Sequence, residues 1–324
     1  MTGALWAVFS GFGFGIFQSF NRRAVQGMDV YVATFLQLLV SAVVLVLLTL
    51  MTKSRTMVES LTGTSVLNFS LAGLLHFFIG WTFLNASQKA IGAARTSSLI
   101  GTIPILGAIF ALVTLGELPT LWGVVGIVAI VVGVYLVNDA KIHGEGRGAK
   151  GERRIGNGRR ETKQSLATIH QLPLEGHAIG LRSLRLGLAA ALCWSLSPTF
   201  IRYGLAEVDD PLLGVTVGIV ASALGYVLVL VVRGRMYKLG MVALDAVGYK
   251  ILAAVLVAVA TWMRWISLDL TAVAVALALS LTSVPTVNFF SPLISGRQLE
   301  RVTGQVWLGS GVIIGGSLVL IFLN

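Results

Sequence analysis

The chain is an internal duplication. Two hydrophobic blocks, residues 4–138 and 184–323, align at a shift of about 180 residues. Arg22 falls on Arg202, Asp29 on Asp209, Trp81 on Trp262, Pro104 on Pro285 and Gly123 on Gly304. A duplication inside an apolar chain is the sequence mark of many membrane folds built from two related halves.

Composition selects the class. Hydrophobic residues make up 56% of the chain and charged ones 12%, about half the charge of an ordinary soluble domain. The apolar runs are hydrophobic all round, as helices facing lipid must be. The expectation is a polytopic all-α membrane protein of the inner or plasma membrane, with the lipid bilayer as its first partner. The net charge of +10 does not point to nucleic acid. Ten of the 24 Lys and Arg sit in one hydrophilic stretch, and most others flank apolar segments, where basic residues set orientation. Contact of the basic stretch with anionic lipid is the better reading. The single cysteine, Cys193, lies in an apolar run and allows no disulfide framework or cysteine metal site within one chain. No basic segment precedes the first apolar run, so that run is expected to stay as a spanning helix rather than be cleaved.

Ten windows approach the ~20 apolar residues a span requires. They are 3–21, 30–51, 66–84, 92–114, 119–138, 186–203, 211–232, 249–267, 271–294 and 302–323. Five fall in each half, and five is odd. If each window crosses once, the second half enters the membrane from the opposite side. The fold expected is therefore ten transmembrane helices in two inverted-topology five-helix repeats, related by an axis in the membrane plane. The domains are 1–138 for the first repeat, 139–183 for a hydrophilic basic linker and 184–324 for the second repeat. The linker carries His143, His170 and His177, at spacings that match no metal motif, and reads as a solvated connector. Assigning each Lys and Arg to a side puts most of the 24 on the linker's side. The positive-inside rule then places the linker in the cytoplasm and both termini outside.

The strongest local motif closes the first half: a Pro104 helix, then LGELPTLWGVVG, then a glycine-spaced helix through Gly133. Glu117 is placed to accept backbone N–H groups at the start of the next helix, and Gly123 and Gly126 open close helix approach. The second half offers SGRQLERVTG and then Gly309, Gly311, Gly315 and Gly316. Through GAARTSSLIGTIPILGAIFALVTLGELPTLWGVVGIVAIVVGVYLV, and through the Trp194, Pro285 and Gly304 regions, the chain resembles the drug/metabolite transporter superfamily, EamA-type. The resemblance covers nearly everything outside the linker. It implies ten helices around a central cavity, a small-molecule substrate, and amino-acid-like export as one of the activities available. Two departures stand out: Gln298, with Glu300 nearby, replaces the family's second turn glutamate, and the family usually keeps both termini cytoplasmic.

Polar and aromatic groups at mid-membrane depth must find a partner or water, which marks them as cavity candidates. The substrate-binding set is Gln18, Gln37, His76, Trp81, Trp194, Trp262 and Asn288. Asn21, Ser97, Ser98, Thr102, Ser197, Thr261 and Ser283 are further candidates, although Ser and Thr usually satisfy a backbone carbonyl of their own helix. Trp6 and Trp307 read as interfacial. Arg264, near a helix end, reads as snorkelling to the interface, with a substrate-carboxylate clamp as the sharper alternative. Arg22 and Arg202 read as anchors or as gate partners of Glu207, Asp209 or Asp210. No Asp or Glu falls at mid-span, which disfavours a cationic substrate. It also leaves His76 as the ordinary candidate for proton coupling, the other course being a facilitator or exchanger.

No catalytic or nucleotide-binding motif appears. No cofactor, catalytic residue or metal site is expected. The function expected is a secondary transporter moving a small neutral, zwitterionic or anionic metabolite by alternating access. The rival is a non-transporting integral membrane protein, an embedded enzyme or a scaffold. Monomer and homodimer stay open.

Overall fold

In hydrocarbon no water can satisfy a backbone N–H or C=O, so a chain this apolar has only helices or a closed barrel open to it. Long runs that are apolar all round select the helix. The computed structural model describes residues 1–26, 28–91, 96, 99–156, 181–234, 244–295 and 303–323, and these contain no strand.

The first half runs α1 (Thr2–Gln26), α2 (Val30–Thr52), a short α3 (Arg55–Glu59) and α4 (Gly63–Gly73). A π-helical stretch, Leu74–Gly80, joins α4 to α5 (Trp81–Ile91), and α6 (Ile103–Leu115) and α7 (Leu121–Gly156) follow. The second half has α8 (Leu181–Glu207), α9 (Pro211–Val232), α10 (Leu244–Leu270) and α11 (Val273–Leu279). A 3-10 turn, Ser280–Thr282, leads to α12 (Ser283–Ser295), and α13 (Gly304–Phe322) ends the chain.

Among the described residues eight helical stretches are long and apolar enough to cross a membrane, so this is a multi-pass membrane protein. Two of the ten expected windows fall short of that standard. α6 is shorter, and residues 92–95, 97 and 98 of its window lie outside the described residues. α8 is long, but Arg185 and Arg202 bracket its apolar run. Helix also extends into both ends of the stretch read as linker, since α7 continues to Gly156 and α8 begins at Leu181.

Helix starts are fixed by short polar side chains. Asp29 accepts from the Tyr31 N–H at 3.0 Å, and Asp210 accepts from Leu212 and Leu213 at 3.0 and 3.1 Å. The structural counterpart of Asp29 is therefore Asp210 rather than Asp209: the caps show which carboxylate does the same work. Gly116 ends α6 with φ 69, a left-handed conformation that a side chain would strain. Glu117 does not cap the helix that comes after it; there the Thr120 hydroxyl accepts from Gly123 N–H at 2.9 Å. Glu117 instead accepts from Val273 N–H at 2.8 Å, at the start of α11 in the other half.

Packing between the halves comes in exchange pairs. α1 packs on α10, and its counterpart α8 packs on α4 and α5; α1 packs on α12 and α8 on α6. α2 meets α10 while α9 meets α4, and the pairs α2–α9 and α7–α13 are their own counterparts. Glycines let one of these crossings close at two points. A Cβ on Gly133 would meet the Gly309 carbonyl at 2.7 Å, and one on Gly126 would meet the Gly316 carbonyl at 3.0 Å, so α7 and α13 touch backbone to backbone. The main core gathers Phe69, Phe77, Leu45, Ile219 and Trp265 between the halves.

Candidate functional site

Several polar side chains within this apolar bundle line a cavity of about 90 Å³. α1 contributes Gln18 and Asn21, α2 contributes Gln37, the π-helical stretch contributes His76, and α5 contributes Trp81 and Asn85. From the second half come Trp194 on α8, Arg264 on α10, Ser280 in the 3-10 turn and Ser283 on α12. Phe14, Phe17, Leu84 and Leu277 are among its apolar walls.

His76 is held by the opposite half. Its Nδ1 lies 3.1 Å from the Ser197 hydroxyl, and its ring stacks on Trp194 with centroids 5.4 Å apart. The Trp194 indole N–H donates to the His76 carbonyl at 2.9 Å. Gly80 makes this possible, because a Cβ there would sit 2.3 Å from the indole nitrogen. π turns of this kind recur at functional sites.

Five of the seven expected binding residues share the cavity wall: Gln18, Gln37, His76, Trp81 and Trp194. Trp262 and Asn288 are not in it. Trp262 packs against the main core, and the Asn288 side-chain amide donates to the Ser310 hydroxyl at 3.3 Å. The π-helical stretch accounts for the split between the duplicated tryptophans. It adds a residue to the turn just before Trp81 and rotates the helix beyond it, whereas Trp262 sits in the uninterrupted α10. Thr102 and Thr261 donate to Leu99 and Val257 carbonyls of their own segments. Ser97, Ser98, Gln298, Glu300 and the side chains of Arg22, His143, His170 and His177 lie outside the described residues.

Two cations change the picture drawn from the sequence. Arg264 does not snorkel: it is 8% exposed, lines the cavity, and its guanidinium carbon lies 6.0 Å from the centre of the Phe14 ring. Lys250 is 1% exposed, and its ammonium donates to Gln37 Oε1 at 2.6 Å and to Asn21 Oδ1. In the sequence Arg264 reads as a helix-end charge, and Lys250 is not among the cavity candidates. Asn85 is a further wall residue that hydropathy does not pick out. It lies one position past its apolar window and donates to the Thr34 hydroxyl at 2.7 Å.

The end of the bundle opposite the linker is tied by ion pairs. Arg202 binds Glu117 at 3.2 Å and donates to the Leu268 and Asp269 carbonyls at 2.8 and 2.9 Å. Its partner is thus Glu117, not Glu207, Asp209 or Asp210, because Arg202 crosses to the turn between α6 and α7. Lys53 pairs with the buried Asp210 at 2.6 Å, and the Thr62 hydroxyl donates to Glu207. At the linker end the ties described are lighter. Arg23 lies 4.4 Å over the Tyr249 ring and donates to the Ile294 carbonyl, and Arg233 donates to the Tyr31 hydroxyl at 3.3 Å.

Residues 1–139 match the EamA-like transporter family. No curated protein matches the chain. A solved structure described only as the crystal structure of a protein superposes with a TM-score of 0.67, over 99% of this chain and 97% of that one, at 16% identity. At that identity the likeness speaks for the fold alone, but it takes in both halves.

Proposed function

We propose that this chain, an EamA-type member of the drug/metabolite transporters over residues 1–139, is a secondary carrier with ten transmembrane helices in two inverted five-helix repeats. It sits in the inner or plasma membrane and moves a small neutral, zwitterionic or anionic metabolite by alternating access. One observation carries the reading: a small cavity with polar side chains in an apolar wall is built jointly by the two halves, and ion pairs join the halves at one end of the bundle. The exchange-paired packing supports the inverted repeat. If the halves swap their conformations, the ties move to the other end, and the cavity is offered to the other side.

The test is counterflow in proteoliposomes of the purified full chain, preloaded with a mixture of amino acids and small carboxylates. Saturable uptake of a labelled member of the mixture, absent from protein-free vesicles, is the expected result. Failure of every member to exceed those vesicles overturns the reading. Orientation is tested separately. The linker region carries ten Lys and Arg between Lys141 and Arg185, and this charge bias supports a cytoplasmic linker. A reporter fused after Asn324 is expected to read as external, and a cytoplasmic signal there would reverse the assignment.

A further inference from the structure

Arg264 is a buried cation with no counter-ion among the described residues. Its side chain is about nine-tenths out of solvent, and among the described residues it forms no ion pair and donates no hydrogen bond. The guanidinium instead lies over the face of Phe14. Among the described residues, the cavity it lines has no Asp or Glu in its wall. A guanidinium keeps its proton and offers a rigid fork of donors, and an uncompensated charge at this depth is costly unless something pairs with it. The other buried cation, Lys250, is already held by Asn21 and Gln37. It lies fourteen residues earlier on α10, about 21 Å along the axis at 1.5 Å per residue.

We propose that Arg264 is the anion-recognition residue of the cavity, and that the substrate is a monocarboxylate with a small apolar body. This deepens the carrier reading and rests on it for the word substrate. A carboxylate matches the guanidinium fork in two parallel hydrogen bonds. One negative charge neutralises the one charged side chain among the described residues of the wall, whereas a phosphate dianion would leave a surplus charge among apolar walls. Phe14, Phe17, Trp81 and Trp194 supply the surface for the body. Among the described wall residues an ammonium group finds neutral acceptors, such as Gln18 and Asn85, in the field of Arg264.

Benzoate, benzamide and benzylamine share a ring and differ in charge, and butyrate tests an aliphatic body. Each is titrated into the purified full chain in detergent, followed by intrinsic tryptophan fluorescence, to which Trp81 and Trp194 of the wall contribute. The expected result is saturable quenching by at least one of the two carboxylates. Binding of the amide and the amine should be weaker by at least about tenfold. In Arg264→Gln the carboxylate preference disappears, and Arg264→Lys keeps part of it because charge survives without the fork. Equal affinity across the ring series overturns the proposal, as does the lack of any response to both carboxylates in the parent. Undiminished carboxylate binding in a folded Arg264→Gln protein overturns it too. If that variant fails to fold, the ring series in the parent decides alone. A chain that binds a carboxylate through Arg264 yet shows no counterflow would lose the carrier reading and keep this one.

Discussion

Gly73→Ala is expected to destabilise the protein by about 2–3 kcal/mol or more, in the upper range of overpacking substitutions. The added Cβ would lie 2.1 Å from the carbonyl oxygen of Gly218, and 2.4 and 2.5 Å from its carbonyl carbon and Cα. All three are backbone atoms, so no side-chain rotation relieves the clash; α4 and α9 must move apart. That crossing is one of the exchange-paired contacts joining the halves, and it adjoins the π-helical stretch that carries His76. Gly225→Ala on the same α9 is the control. Its nearest neighbours are side-chain atoms of Leu74 and Phe78 at 3.5 to 3.7 Å, and alanine gains up to about 1 kcal/mol over glycine in helix propensity. Apparent melting temperatures in detergent should fall by several degrees for Gly73→Ala and stay level or rise for Gly225→Ala. Equal losses in the two variants would show that the backbone contact is not what limits this interface.

Much of this architecture can be read from the chain because its signals are local. Asp29, Asp210-Pro211, Gly116 and the Lys53–Arg55 break punctuate helices in the few residues around them. The apolar windows arise from composition alone. The glycines of α7 and α13 announce close packing, although the sequence cannot say that Gly133 meets Gly309 and Gly126 meets Gly316. Where sequence and structure part, the deciding partner lies in the other half. Glu117 looks like a cap for its own helix, but its bonds go to Val273 and Arg202. Nothing within ten residues of it points to either partner.

Depth is the other quantity that hydropathy hides. The window over 249–267 places Lys250 at its edge because the charge itself helps to end the window. The helix actually begins at Leu244, so Lys250 lies more than a turn inside it, facing α1 and α2. The same logic displaces Arg264 toward the interface. Trp81 and Trp262 show a third limit. Duplicated residues keep equal sequence positions, but one π turn in one copy is enough to send them to different surroundings.

Lys250→Met is expected to leave the fold standing while cutting transport by at least about tenfold, as befits an ionisable group kept inside the membrane. Methionine fills most of the same volume, and exchanging a buried ion for an apolar group of similar size is often neutral or stabilising. Against that, Gln37 Oε1 and Asn21 Oδ1 each lose a donor, at about 1–3 kcal/mol for an acceptor left wholly unpaired. Both residues line the cavity, where water can take the place of the ammonium and reduce that cost. The two effects oppose one another, and the apparent melting temperature should stay within a few degrees of the parent. Function has no such compensation. The lysine fixes the orientation of two wall amides, one on α1 and one on α2, and joins both helices to α10; water restores the hydrogen bonds but not the link. Lys250→Arg should not rescue, because a planar fork cannot take the place of a compact ammonium between two carbonyls. Counterflow of the solute carried by the parent, measured beside melting in the same preparation, separates the alternatives. Full transport in a folded Lys250→Met protein would make the lysine a bystander, and loss of the fold would make it a structural clamp rather than part of the transport path.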